Sequence, residues 1–134
     1  MSVIASLYID AAAKTDPKEA AGAAVFKTED GTIEYSEYFG ALDNHEAEWA
    51  ALILGVEKAL ELNIRSLIIY TDSKIISDSF EKNHVKNKKF RPYFDRIKKE
   101  MPQFDLFLVS HMPRKNNKNA DRLAKDALYS RKKK

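Results

Sequence analysis

The sequence predicts an α/β fold: a five-stranded mixed sheet, with strands 1–3 antiparallel and strands 4 and 5 parallel, flanked by helices. Three observations predict it. The run Ser2–Ile9 is apolar on both sides, as suits a central strand covered on both faces. Two β-favouring segments flank Glu29-Asp30-Gly31, which is a hairpin signal. Beyond Asn44 the apolar spacing alternates between helix and strand, so the later strands return through helices and run parallel.

Each element has its own reason. In residues 2–9, Val3, Ala5, Leu7 and Ile9 form one side, with Ile4 and Tyr8 also apolar. Residues 22–28 and 32–40 are the arms of the hairpin, the second more polar, as an outer strand should be. From Asn44 to Leu62 the positions Trp49, Leu52, Ile53, Val56, Ala59 and Leu60 make one helical face. Asp43 or Asn44 can cap that helix, and Glu46 suits its positive end. Ser66–Thr71 is a strand, and Asp72-Ser73-Lys74 opens a short helix to about Glu81. Lys82–Lys88 is a polar loop. Phe90, Phe94, Ile97 and Met101 have helical spacing, with Pro92 confining the start. Phe104–Ser110 is the last strand, and Asn117 to about Tyr129 the last helix.

Composition narrows the chemistry. A chain of 134 residues is expected to be one domain spanning 1–134, long enough for a core without disulfides. It has no cysteine, which excludes thiolate catalysis and Cys-based zinc sites. No run approaches a membrane span and no signal-peptide pattern opens the chain, so no membrane partner and a cytoplasmic location are expected. Net charge is only +3, but the basic residues crowd into the C-terminal half. They include Lys82, Lys86, Lys88, Lys89, Arg91, Arg114, Lys115, Lys118 and the terminal Arg131–Lys134. That asymmetry suggests a polyanionic partner.

Four acids stand where regular elements begin or end: Asp10, Glu48, Asp72 and Asp121. Carboxylates at the mouths of buried strands are costly unless something cationic neutralises them. Divalent cations, which favour hard oxygen ligands, would do so. Asp10 and Asp72 each follow a central strand, where α/β sheets bind ligands, although Asp72 alone also reads as a helix cap. A helical wheel sets Glu46 nearer the apolar face than Glu48, so pattern leaves both open. His111 ends the last strand before a Pro-Arg-Lys-Asn loop, a setting suited to proton transfer.

Taken in order, Tyr8-Ile-Asp10, Asn44-His-Glu-Ala-Glu48-Trp-Ala-Ala-Leu52, Tyr70-Thr-Asp72-Ser73, Val109-Ser-His111 and Asn117-Lys-Asn-Ala-Asp121-Arg-Leu-Ala124 resemble the type 1 ribonuclease H family. More narrowly, they resemble its short bacterial reverse-transcriptase-like branch. The resemblance covers the whole chain and implies the ribonuclease H-like fold. It implies two-metal-ion hydrolysis of the RNA strand of RNA–DNA hybrids; separately, a monomer is expected. Two ions of Mg2+, or Mn2+, would be held by Asp10, Glu48, Asp72 and Asp121, with Asp10 bridging. The Ala-Glu context selects Glu48 over Glu46. His111 corresponds to the family's flexible-loop histidine, and Asn44, Ser73, Asn117, Lys14 and Arg114 would contact nucleic acid. This chain has Ala11-Ala12-Ala13 where the family has a glycine-rich loop, and His45 where a second asparagine is common. The alternative expectation is therefore a binding module of the same fold with weak or no catalysis.

Overall fold

The computed structural model describes residues 4–130; Ser2 and Val3 of the predicted first strand and the basic tail Arg131–Lys134 lie outside the described residues. The strands are β1 (Ile4–Thr15), β2 (Lys18–Thr28), β3 (Gly31–Gly40), β4 (Ser66–Thr71) and β5 (Leu106–His111). The helices are α1 (Asn44–Glu61), α2 (Lys74–Lys82), α3 (Arg91–Glu100) and α4 (Lys118–Ser130). Short 3-10 turns at Met101–Gln103 and Arg114–Asn116 precede β5 and α4. The sheet order is β3-β2-β1-β4-β5, antiparallel from β1 to β3 and parallel across β1, β4 and β5. This is the predicted fold class and the predicted order of elements. No helix among the described residues is long and apolar enough to cross a membrane.

The main departure from the sequence expectation is the length of β1. Asp10 does not close it. The strand runs to Thr15, pairing Ala11↔Gly22, Ala12↔Ala21, Ala13↔Ala20, Lys14↔Glu19 and Thr15↔Lys18 around a tight turn at Asp16-Pro17. Correspondingly, β2 begins at Lys18 rather than residue 22. Alanine has little intrinsic preference for strands, so a run of alanines does not announce itself. What recruits it is packing, because small side chains fit between helices on both faces. Ala11 and Ala20 meet Ala47 on one side, and Ala12, Ala21 and Ala23 meet Ala120 and Ala124 on the other.

The two faces of the sheet differ. On one, α1 brings Trp49 into a cluster with Phe80, Phe90 and Phe94, ring centroids 6.1–6.3 Å from it. Full burial of a large apolar side chain contributes roughly 1.5–3 kcal/mol, so this cluster anchors α1 and α3. Gly55 allows α1 to sit close to β1: a Cβ there would lie 2.6 Å from Leu7 Cδ2. On the other face α4 lies over β1 and β2 on an alanine-rich surface. It leaves part of the β4–β5 half open, and Leu108 there is 52% exposed.

Helix starts follow local capping chemistry. At α1 the Asp43 carboxylate accepts from the Glu46 N–H (2.8 Å) while the Glu46 side chain accepts from the Asp43 N–H (3.4 Å). This capping box satisfies two otherwise orphaned donors. Ser73 caps α2, its hydroxyl accepting from the Ile76 N–H at 3.3 Å. Pro92 sits in the first turn of α3, where its missing N–H costs nothing.

Candidate active site

Strand register brings the first two acids together. In the parallel β1–β4 pair, Tyr8 lies opposite Tyr70, and their rings stack at 5.1 Å. Strand side chains repeat every second residue on one face. The next members of these two rows are Asp10 and Asp72, both past the last β1–β4 pair. Asp10 is held in β1 by its pairing with Ala23 and is 3% exposed. Asp72 lies in the bend between β4 and α2, with 8% of its side chain exposed. Both are thus at the carboxyl edge of the parallel strands.

The other two acids arrive from helices on opposite faces. Glu48, 8% exposed, extends from the first turns of α1, and Asp72 and Ser73 both act on its carboxyl. Asp121 sits in the first turn of α4, its side chain 30% exposed, close enough to influence Asp10. Glu46, which the helical wheel left in contention, is committed to the capping box and to Lys89 at 3.4 Å.

Charge is unevenly compensated across this group. Asp121 pairs with Lys125 Nζ at 3.0 Å, and His45 Nδ1 lies 3.3 Å from Glu48 Oε1. Arg114 Nε stands 3.6 Å from Asp72 Oδ2, beyond hydrogen-bond reach. Both oxygens of Asp10 are buried without a hydrogen-bond partner. Burial, reinforced by Asp72 and Asp121, pushes the Asp10 carboxyl up to about 7, against the opposing pull of the Ala11 N–H and Arg114. Glu48 is also raised, mainly by burial, with Asp72 adding to it and His45 and Ser73 opposing it.

The remaining predicted residues fall into two groups. His111 is the last residue of β5, exposed and opposite Thr71, so it stands beside the start of the Asp72 bend. Arg114 lies in the turn before α4 and is mostly exposed. Ser73 is 6% exposed and serves as the α2 cap. Asn117 is 2% exposed, and its side-chain amide donates to the Ile9 carbonyl at 2.7 Å, tying the start of α4 to β1 beside Asp10. Asn44, one turn before Glu48 on α1, and Lys14 together line a cleft of about 190 Å³ between the β1–β2 hairpin and α1. Lys14 is paired with Glu19 at 2.9 Å and lies over the Tyr129 ring.

Two partners of the acids were not singled out from sequence: His45 for Glu48 and Lys125 for Asp121. Their signal was available in the i,i+3 and i,i+4 spacings, which make helix neighbours.

The donor set suits a hard divalent cation. Asp10 offers two buried oxygens and Asp72 a third, all lacking hydrogen bonds, and a cation would relieve both their desolvation and their mutual repulsion. Among the described residues, no three acidic or histidine side chains already stand as a closed metal-holding group. That accords with magnesium chemistry, in which waters and substrate phosphate complete the shell.

Comparison with known proteins agrees with this architecture. Residues 8–127 match the family described as reverse transcriptase-like. EbsB of Enterococcus faecalis is 37% identical over 124 residues, covering 91% of this chain and 92% of that protein. Ribonuclease HI of Halobacterium salinarum is 29% identical over 127 residues, covering 90% of this chain; the chain spans only 62% of that relative's length. The crystal structure of RNase H1 from the same archaeon aligns with a TM-score of 0.85 at 28% identity, covering 92% of this chain and 96% of that one. LC11-RNase H1, solved in complex with RNA/DNA hybrid, aligns with a TM-score of 0.84 at 26% identity, again covering 92% and 96%. With the family match spanning nearly all described residues on this sheet order, the chain belongs to the reverse-transcriptase-like branch of the type 1 ribonuclease H family.

Proposed function

We propose that this protein hydrolyses the RNA strand of RNA–DNA hybrids as a divalent-metal-dependent endonuclease. The observation that carries the reading is Asp10: a carboxylate with both oxygens buried, unpartnered and aligned with Asp72 at the carboxyl edge of the parallel strands. A carboxylate left so short of donors is costly in a purely structural role. It is understandable as a ligand awaiting a cation.

Asp10 and Asp72 would hold magnesium or manganese most directly, with Glu48 on the Asp72 side and Asp121 on the other. Two such ions would supply an activated hydroxide and neutralise charge on the leaving 3′ oxygen. Arg114, beside Asp72 and mostly exposed, is free to turn toward a phosphate. His111, exposed at the end of β5, would carry a proton away from or toward the departing strand. Asn117 acts from below the surface by fixing the Ile9 carbonyl, and hence the backbone that carries Asp10. Asn44, Lys14 and Ser73 are assigned to the hybrid's backbone, with Asn44 a candidate reader of 2′-hydroxyls. The active unit is proposed to be residues 1–134 as one domain, monomeric and cytoplasmic.

A second reading has one observation in its favour. Residues 11–13 form a regular alanine-paired hairpin strand where the resemblance leads one to expect a glycine-rich loop. A nucleic-acid-binding module with weak turnover would tolerate that change. A labelled-hybrid assay in magnesium and in manganese separates the two readings, with RNA duplex and DNA duplex as controls. Metal-dependent cuts confined to RNA in the hybrid are expected. Salt-sensitive hybrid binding with no cleavage under either metal would favour the binding module.

A further inference from the structure

We infer that a cavity at the start of α4 holds one nucleotide of a single-stranded tail extending from the bound hybrid. The cavity measures about 220 Å³ and lies on the α4 face of the sheet, lined by Tyr8, Lys27, Lys115, Asn117, Lys118 and Asn119 among others. This inference rests on the nucleic-acid reading above, but the cavity itself is separate from the four acids.

Three features carry it. The first is charge. Lys27, Lys115 and Lys118 converge from β2 and from the segment entering α4, and none has a carboxylate partner among the described residues. Lysines without an acid partner also occur elsewhere on the surface, Lys74 and Lys86 among them, so it is the convergence of three on one cavity that counts. The second is the aromatic floor. Tyr8 is stacked on Tyr70, and Lys27 Nζ lies 4.9 Å from the Tyr8 ring centroid. A base of a single strand, whose π-face is free, would stack on Tyr8 by taking the place of the Lys27 ammonium over the ring. The third is unspent hydrogen-bonding capacity. Asn117 is 2% exposed, and its Oδ1 has no partner although its nitrogen is bonded to Ile9. That oxygen is an unpartnered acceptor on a residue lining the cavity, and an exocyclic amino group would reach it only with a small shift of the lining. Asn119, by contrast, is already engaged with Glu34 at 2.8 Å and with Arg122 at 2.7 Å.

Placement links the cavity to the active site. Tyr8 precedes Asp10 in the same strand row, Lys115 follows Arg114, and Lys118 is in the same first turn as Asp121. A strand leaving the acids along α4 would meet these lysines next.

Equilibrium binding by fluorescence anisotropy tests the inference on the full chain. A blunt RNA–DNA hybrid is compared, in chelating buffer, with the same hybrid carrying a single-stranded DNA tail at each end in turn. One tailed form is expected to bind roughly tenfold tighter than the blunt form, in line with the stacking of one base, and with a steeper salt dependence. The combined Lys27→Gln, Lys115→Gln, Lys118→Gln variant should bring the tailed form down to the blunt affinity. Tyr8→Leu should remove most of the gain while leaving the lysines in place, and circular dichroism checks that each variant is folded. Equal affinities for blunt and tailed hybrids in the unmodified protein would overturn the inference. So would an equal loss for both in the lysine variant. A nucleoside monophosphate should compete with the tail better than inorganic phosphate; equal competition would overturn the base-stacking part. Absence of cleavage with the tail preference intact would strike the proposed activity and leave this site standing.

Discussion

Two acidic clusters stand at the same end of the molecule and are built in opposite ways. At the start of α1, Asp43 and Glu46 are paired with each other's backbone N–H groups and with the Lys89 ammonium. Slight burial works against Asp43, but the Glu46 N–H and Lys89 outweigh it and hold its carboxyl below the usual range. At the edge of the parallel strands, Asp10 has no hydrogen-bond partner, and burial drives its carboxyl up to about 7. The first cluster stabilises a helix end and needs nothing from outside. The second lacks donors of its own, and in the proposed function a cation supplies the missing charge. Carboxylates serving structure are surrounded by donors, and the ones left without donors mark the place where a ligand belongs.

Substitutions can break this comparison at several strengths. The largest effect should be on cleavage of hybrid. Removing a ligand that supplies several kcal/mol of charge stabilisation predicts a loss on the order of 10³-fold for Asp10→Asn or Asp72→Asn, measured as initial rate in magnesium. Retention of most of the rate would show that the unpartnered cluster is not the site of chemistry.

Next comes stability. Because the Asp10 pKa is raised on folding, the folded state holds its proton more tightly than the unfolded chain does. The Asp10 contribution to stability is therefore greatest below the unfolded value near 3.8 and is lost as pH rises toward about 7. In chelating buffer the unfolding free energy should fall across that window, and Asp10→Asn should flatten the fall. At pH 8 the same variant should be more stable than the unmodified protein by roughly 2–4 kcal/mol, with the gain vanishing near pH 4. Magnesium should offset the loss in the unmodified protein and bind more weakly as pH drops below 7, readable by thermal melts at several metal concentrations.

Asp43→Ala should act in the opposite sense, lowering stability by about 1 kcal/mol through loss of the cap while hybrid cleavage persists. With its pKa depressed on folding, the Asp43 contribution is present at neutral pH and fades as acid protonates it. A stability loss that grew toward low pH would contradict that assignment. The smallest effect is expected for Lys89→Met: a slight fall in melting temperature in dilute buffer that disappears in high salt, since its ion pairs are on the surface.

Much of this was legible in the amino-acid order. Apolar two-sidedness marked β1, an apolar run marked β4, Asp-Gly marked the β2–β3 turn, and helical spacing marked α1, α3 and α4. These signals are local, because a period of 2.0 or 3.6 residues is a property of a short stretch of chain. The resemblance then ordered the four acids and picked Glu48. Less legible were the alanine hairpin beyond Asp10 and the partners of the acids. Alanine carries no strand signal, and Arg114 gains its place beside Asp72 only from the packing of the turn before α4, whereas the His45 and Lys125 pairings follow helix spacing.

Sequence by itself determined the order of the elements and the four candidate acids, though not that β1 runs on past Asp10. Tertiary structure alone decided that the β1–β4 register would set Asp10 level with Asp72, and that Glu48 would face Asp72. The reason is physical: periodicity fixes which way a side chain leaves its own strand or helix, whereas proximity and desolvation depend on which other element is packed against it.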